Sequence, residues 1–511
     1  MLNNVSYRSI YALFAERAQT HPNKLVIERS GGAGFTYASL LECVQQVAAE
    51  LHTAGVVKGD RVASQVEKSP EAVATYLATL QLGAIFLPLN TAYTETELAY
   101  FIDDADPSLI IVDPTKEREI QALAPHLNIR TLDSSGQGSL LKSTTRRDVV
   151  EPVEASDEAA ILYTSGTTGR SKGAVLSHEN LVSNCLALLD AWEFDENDRL
   201  IHALPIFHIH GLFVAVNMTL VAGATMQWLE KFDADLIIDH LETATVLMGV
   251  PTFYTRLVAS SRLTPDVVSN MRLFISGSAP LLASDHAAFS ERTGHQILER
   301  YGMTETGMNT SNPYRGERRP GSVGFPLPGV EVIVANPQTG EELPVGDMGS
   351  IEVRGPNVFD RYWRNPEKTN EEKRDSGFFI TGDQGFFSSD GYLNISGRAK
   401  DMIICGGYNV YPKEIELLLD AHPKVTESAV IGVPHPDLGE GIVGVLVLEN
   451  GQTLSDEELR EFIQDDIARF KQPRAYRVIA ELPRNVMGKV QKAELREAFL
   501  ETFQQQQESA V

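Results

Sequence analysis

Residues 161–181, ILYTSGTTGRSKGAVLSHENL, join an apolar run to a loop of glycines, hydroxyls and one lysine. Gly166, Gly169 and Gly173 permit backbone angles that turn amide N–H groups toward an anion. Thr164, Ser165, Thr167 and Thr168 add hydroxyl donors, and Lys172 adds positive charge. Donors of this kind, at this density, behind a buried strand, suit a polyphosphate better than a plain surface turn. The spacing is not that of the G-x-x-x-x-G-K-[ST] phosphate loop, because no Gly-Lys-Ser/Thr follows at the required distance. A strand, the loop, and then a helix-like segment are expected here.

A second group of interest is a cation. The run ATVLMGVP reads as a buried strand that ends in a turn, with a helix starting at Pro251. Arg256 follows, and no carboxylate lies near it in sequence. A guanidinium buried without a partner is costly. Arg256 is therefore expected either to meet an anionic ligand or to pair with a surface carboxylate. His208 and His210, in LPIFHIHGL, stand two residues apart without acidic or cysteine companions, so they do not form a metal-ligand pattern.

The elements that must hold these groups are those of a long, soluble chain. At 511 residues it exceeds one ordinary domain. Strand-like and helix-like patterns alternate through the first 330 residues. RVASQV, GAIFLPL, LIIVD, AAILYTS, TVLMGV, RLFIS and QILERY read as short buried strands, and Val73, Tyr76, Leu77 and Leu80 recur at helical spacing. Such alternation implies sheets wrapped by helices, with ligands gathered at the strands' carboxyl ends. Past about residue 325, dense Gly, Pro and Asp-Gly turns suggest a small antiparallel region. A boundary is expected near residues 398–402, and SDEELREFIQDDIARF beyond it places Leu459, Phe462, Ile463, Ile467 and Phe470 on one helical face.

The net charge of −25 disfavours nucleic acid and anionic membrane as partners. Cys43, Cys185 and Cys405 fit neither a disulfide framework nor a metal site, and the N-terminal stretch lacks a secretory leader pattern. Cytoplasmic location is the expectation. GLFVAVNMTLVAGATM, residues 211–226, is too short to span a bilayer and is read as core.

At SGTTGRSKG the sequence resembles the adenylate-forming superfamily of acyl-CoA synthetases, luciferases and peptide-synthetase adenylation domains. ERYGMTET (299–306), TGDQGFF (381–387), GRAKDMIICGGYNVYP (397–412) and PRNVMGKVQK (483–492) follow in the family's order, so the resemblance covers nearly the whole chain. Ser171 departs from the proline common before the loop lysine. The resemblance implies an α/β fold: a large N-terminal domain, 1–398, of helix-wrapped mixed sheets with a small antiparallel region, and a small mobile α+β domain, 399–511. It also implies a carboxylate joined to AMP with release of pyrophosphate, then passed to a thiol.

Carried over by resemblance, Glu305 holds Mg²⁺ beside the phosphates of ATP, and Thr304 contacts the α-phosphate. Ser276-Gly277 and Tyr301-Gly302 surround adenine. Asp383 accepts the ribose hydroxyls and Arg398 adds to that contact. Lys489 is the catalytic lysine of adenylation and the expected target of a lysine acetyltransferase and deacetylase. Asp401 is the hinge. Gly406, Gly407 and Tyr408 form part of the CoA tunnel that opens after rotation, and His208 gates it. The likeness is nearest to members that activate malonate, with methylmalonate as a second substrate. Arg256 then holds the distal carboxylate of a small dicarboxylic acid, Ser278 adds a hydrogen bond, and Met308 limits the pocket. Retained alternatives are a monocarboxylate synthetase and a stand-alone module that loads a carrier protein.

Overall fold

The structure, a computed structural model, describes residues 9–29, 34–164, 171–406, 408–485 and 488–503. Three sheets organise it. The largest has thirteen strands. Its middle is parallel, with Leu25–Arg29, Thr225–Trp228, Arg199–His202, Val246–Gly249, Leu273–Ser276 and Leu298–Met303 side by side. Antiparallel strands from Gly307–Ser311 to Leu393–Arg398 continue the same sheet. The expected antiparallel region is thus an extension of the large sheet and not a separate layer.

A second sheet of seven strands is built on Arg61–Gln65, Ile85–Pro88, Leu109–Val112 and Glu158–Thr164. Helix Pro70–Gln81 packs between the seven-stranded sheet and other helices. Ser69 caps it by accepting from Ala72 N, Pro70 supplies a preset first turn, and every residue is buried. Tyr76 shows why: its ring meets Phe86 of the seven-stranded sheet at 5.3 Å and Phe213 of the helical segment His210–Val216 at 5.5 Å. Each large apolar side chain so buried contributes about 1.5–3 kcal/mol. This exceeds the few tenths of a kcal/mol by which local propensity favours the helix. Residues 211–226 form further core, helical from His210 to Ala222 and then the strand Thr225–Trp228. No helix among the described residues is long and apolar enough to cross a membrane.

The third sheet has five strands, all from residue 403 onward, with separate apolar clusters on its faces. The short turn Ala399–Asp401 leads into it from Leu393–Arg398. The amphipathic helix expected within SDEELREFIQDDIARF is shorter than its spacing suggests. It runs Asp456–Ile463, its Leu459 and Ile463 are buried, and Phe462 lies outside against His422. Ile467 reaches the core from a separate turn.

Candidate active site

Lys172 opens the strand Lys172–Ser177, which pairs antiparallel with Glu158–Thr164. A strand thus follows the loop, and the helix begins only at His178. GAVLS is apolar and β-prone enough to form a second strand before Ser177 caps the helix. Thr164 Oγ1 donates to Lys172 O at 3.4 Å. Ser165, Gly166, Thr167, Thr168 and Gly169 lie outside the described residues, as does Gly407.

Lys172 is held by groups that sequence reasoning passed over. Its Nζ is 3.1 Å from Glu372 Oε1 and 4.2 Å from the centre of the Tyr362 ring. The Tyr362 hydroxyl lies 2.6 Å from Glu372 Oε2 and 3.0 Å from Glu305 Oε1. Glu305, only 5% exposed, is thereby tied to the loop lysine through one phenol. Burial raises its carboxyl above the ordinary range, against the pull of Tyr362, Lys172 and Arg398. Burial works to raise Glu372 too, but the Tyr362 hydroxyl and the Lys172 charge prevail and hold it low. Thr304 is half-buried beside Glu305. Among the described residues no group of three or more His, Cys, Asp or Glu side chains could cage a metal.

A second cluster stands on the extended half of the sheet. Register places Asp383 opposite Arg398. Asp383 accepts from Arg398 Nε at 2.8 Å and from the Tyr301 hydroxyl at 2.5 Å. Lys489 joins them from the C-terminal domain. Its loop is shaped by Asn485, whose Oδ1 accepts from Lys489 N at 3.0 Å, and by Arg484, which donates to Gly488 O at 2.6 Å. Gly488 faces Thr252 of the large domain, where a Cβ would lie 3.3 Å from the threonine methyl. The Lys489 side chain keeps contact with solvent at the cleft. Surrounding protein and then Arg398 nevertheless push its ammonium down to about 8, with Asp383 opposing.

The third cluster lies beyond the strand ends of the parallel sheet. Ser278 adopts a left-handed backbone, φ 74°, and its Oγ is 3.3 Å from His210 Nδ1. His208 Nδ1 accepts from His210 N at 3.3 Å. Burial, then Arg300, pushes His208 down to about 4, so it is neutral near pH 7. Ser276 is buried, and its Oγ has no hydrogen-bond partner among the described residues. Gly277 packs on the Arg300 guanidinium: a Cβ there would lie 2.3 Å from Arg300 Cζ. Gly302 is as confined, with a Cβ 2.1 Å from Gly307 O. Met308 is buried beside it, its main chain clasped by Asn184 at 2.8 and 2.9 Å.

Arg256 is not the buried cation that the sequence suggested. Helix Pro251–Ala259 turns Phe253, Tyr254 and Leu257 inward and leaves Arg256 exposed. Its guanidinium lies 5.4 Å from the Phe232 ring centre. Asp401 accepts from Arg496 Nη2 at 2.6 Å. Gly406 has φ 60°, and Tyr408 is 59% exposed with its ring 4.7 Å from Phe470. The structure thus gathers Lys172 with Glu305, and Tyr301, Asp383 and Arg398 with Lys489, while Tyr408 faces solvent.

Comparison with known proteins gives the chain its family. The profile described as AMP-binding enzyme matches residues 14–363, and that of the AMP-binding enzyme C-terminal domain matches residues 414–489. A mouse mitochondrial malonate–CoA ligase is 36% identical over 492 residues, which cover 89% of this chain and 84% of that protein. ATP-bound MatB from Rhodopseudomonas palustris is 54% identical, with TM-score 0.94 over 97% of this chain and 100% of that one. Apo MatB, at the same identity and coverage, superposes with TM-score 0.84. The chain belongs to the family of AMP-binding enzymes.

Proposed function

We propose that this chain is an ATP- and CoA-dependent ligase that converts malonate, and methylmalonate as a second substrate, to the CoA thioester through an acyl-adenylate, releasing AMP and pyrophosphate. One observation carries the reading. In a chain 54% identical to MatB, which superposes as a whole better on the ATP-bound than on the apo form, Lys489 of the small domain stands with Asp383, Arg398 and Tyr301 of the large one. A lysine there can draw a carboxylate and an α-phosphate together, a matter of positioning and charge neutralisation.

Asp383 takes the ribose hydroxyls, exchanging the contact with Tyr301, and Arg398 steadies it. Ser276, Gly277 and Gly302 supply the close backbone walls of the nucleotide and acyl sites. Lys172 and the loop before it hold the outer phosphates. The donor set at Glu305 fits Mg²⁺, which takes one or two protein carboxylates and otherwise water and substrate phosphates. Bound there, the ion would neutralise phosphate charge. Thr304 faces the α-phosphate, and neutral His208 separates the acyl site from the thiol path.

Rotation about Asp401 then brings Gly406, Gly407 and Tyr408 toward the cleft for thiolysis. Domains 1–398 and 399–511 are the moving units. Arg256 is one candidate for the distal carboxylate, with Ser278 and Met308 lining the pocket. The cysteines Cys43, Cys185 and Cys405 are free, which fits the cytoplasm. Acetylation of Lys489 would remove the ammonium that adenylation needs.

The test is AMP formation with ATP, Mg²⁺ and CoA across malonate, methylmalonate, succinate, acetate, butyrate and octanoate. Turnover confined to malonate and methylmalonate is expected. Turnover of the monocarboxylates instead would overturn the substrate assignment.

A further inference from the structure

We infer that Asn357 is a positioning residue for adenylation, its carboxamide fixing the turn that carries Glu305; this rests on the placing of Glu305 beside the phosphates proposed above. Residues 304–306 form the turn between the antiparallel strands Leu298–Met303 and Gly307–Ser311. Carbonyls of such a turn ordinarily face water. Here the turn is enclosed, with Glu305 and Thr306 both buried. A buried carbonyl needs a donor, and buried Asn357 supplies one. Its Nδ2 donates to Thr306 O at 2.7 Å and to Asn309 Oδ1 at 3.2 Å, with a longer contact to Met308 O at 3.4 Å. Both main-chain partners are acceptors, so only the nitrogen of the carboxamide can face them.

The stretch 357–362 grips Glu305 at three points. Asn357 holds the carbonyl of the next residue, Phe359 N donates to Glu305 O at 2.7 Å, and the Tyr362 hydroxyl lies 3.0 Å from Glu305 Oε1. Helix His178–Ala191 holds this stretch in turn. Asn180 Nδ2 donates to Pro356 O at 2.8 Å and to Val358 O at 2.9 Å, on either side of Asn357. One helical turn further on, Asn184 clasps the Met308 main chain. Two glycines leave room for these carboxamides. A Cβ at Gly307, φ 61°, would lie 2.6 Å from Asn184 Oδ1, and one at Gly355 would lie 2.5 Å from Asn357 Oδ1.

Stability alone does not account for Asn357. Its Oδ1 has no hydrogen-bond partner among the described residues, so the carboxamide is buried half-satisfied, which costs free energy. What it adds is a fixed path for the main chain. Glu305 O and Thr306 O are both tied to residues 357–359, so Glu305 cannot tilt without breaking one of these bonds. Removing a group that orients a metal-binding side chain typically weakens affinity or activity about 10–100-fold.

The test compares wild type, Asn357→Leu, Asn357→Ser and Glu305→Gln. Tyr37→Phe serves as a control of stability alone, because the Tyr37 hydroxyl donates within the core to Thr219 O at 3.0 Å and to Ala224 O at 2.9 Å. ATP–pyrophosphate exchange is followed against Mg²⁺ concentration. Thermal shifts with a non-hydrolysable ATP analogue are measured with and without Mg²⁺, and thioester formation from supplied acyl-adenylate reads the second step. Asn357→Leu is expected to raise the Mg²⁺ concentration for half-maximal exchange about tenfold or more, and to lose the part of the shift that Mg²⁺ adds. The shift without Mg²⁺ should persist, and thioester formation should stay within about threefold of wild type. Asn357→Ser keeps a donor and should recover part of the loss. Tyr37→Phe should lower the unfolding midpoint and leave the Mg²⁺ dependence as in wild type.

If Asn357→Leu gives no analogue shift at all, and so has not folded, Asn357→Ser decides: a raised Mg²⁺ requirement with thioester formation spared supports the role, and equal losses in the two steps overturn it. A wild-type Mg²⁺ dependence in Asn357→Leu, equal losses in its two steps, or the same Mg²⁺ defect in Tyr37→Phe would each overturn it while Glu305→Gln shows that defect. An unchanged Mg²⁺ dependence in Glu305→Gln would remove the placing of Glu305 and this role together.

Discussion

Raising the pH through about 8 is expected to suppress adenylation while sparing thiolysis. Surrounding protein and the Arg398 charge lower the Lys489 ammonium from 10.5 to about 8 in the ligand-free cleft. Adenylation needs the charged form, which exists below that value and is lost above it. The charged fraction is about nine-tenths at pH 7 and about one-tenth at pH 9, so kcat/KM for ATP should fall about tenfold across that interval. An ordinary lysine would stay charged throughout it. Bound phosphates and carboxylate raise the value again, so the limb in kcat should lie at higher pH than the limb in kcat/KM. The assay is ATP–pyrophosphate exchange, which reads the first half-reaction alone. Thioester formation from supplied acyl-adenylate should lack the falling limb and should rise toward the ionisation of the thiol near 8.5. Lys489→Arg, which stays charged, should lose the limb at whatever activity remains. An exchange profile flat from pH 7 to 9, or the same falling limb in both half-reactions, would refute the assignment of Lys489 to the first step.

Glu372→Gln should lower the KM for ATP, because Glu372 holds Lys172 away from incoming phosphates. The pair is partly enclosed, at 18% and 22% side-chain exposure, so about 0.5–1 kcal/mol or roughly two- to fivefold is expected. A raised KM would show that the pair preorganises the lysine instead. Gly302→Ala would set a Cβ 2.1 Å from Gly307 O, and a loss of about 1–3 kcal/mol in denaturant unfolding of the large domain is expected. An unchanged midpoint would contradict that packing. Arg496→Ala frees Asp401 from a 2.6 Å contact, which at about 1 kcal/mol should slow exchange about fivefold and spare thioester formation from the adenylate. Equal slowing of both steps would remove Arg496 from control of the hinge.

What the sequence made legible, and what it hid, follows from the range over which each signal acts. The short strands at 61–66, 109–113 and 245–250 were plain, because an apolar run between turn residues is a local property. Tyr301 and Asp383, 82 residues apart, were both singled out, but only the folded chain brings them into one hydrogen bond. Tyr362 and Glu372 escaped notice because their role depends on Lys172 and Glu305, which approach them only in the folded chain.

The two arginines make the same point in opposite senses. Arg256 carried its own answer: Phe253, Tyr254 and Leu257 define the inner face of its helix, and position 256 falls outside it. The strand of Arg300 offers no such answer. Leu298, Glu299, Arg300 and Tyr301 are all buried, so polar and apolar residues do not alternate with exposure there, and a buried arginine looks like a surface one. Only the third dimension shows Gly277 against its guanidinium and, among the described residues, no carboxylate paired with it. An unpaired charge in a core is the one feature of a binding pocket that energetics forbids the fold to keep for its own sake, so the search for a substrate's chemistry is better started from the buried ion than from the exposed one.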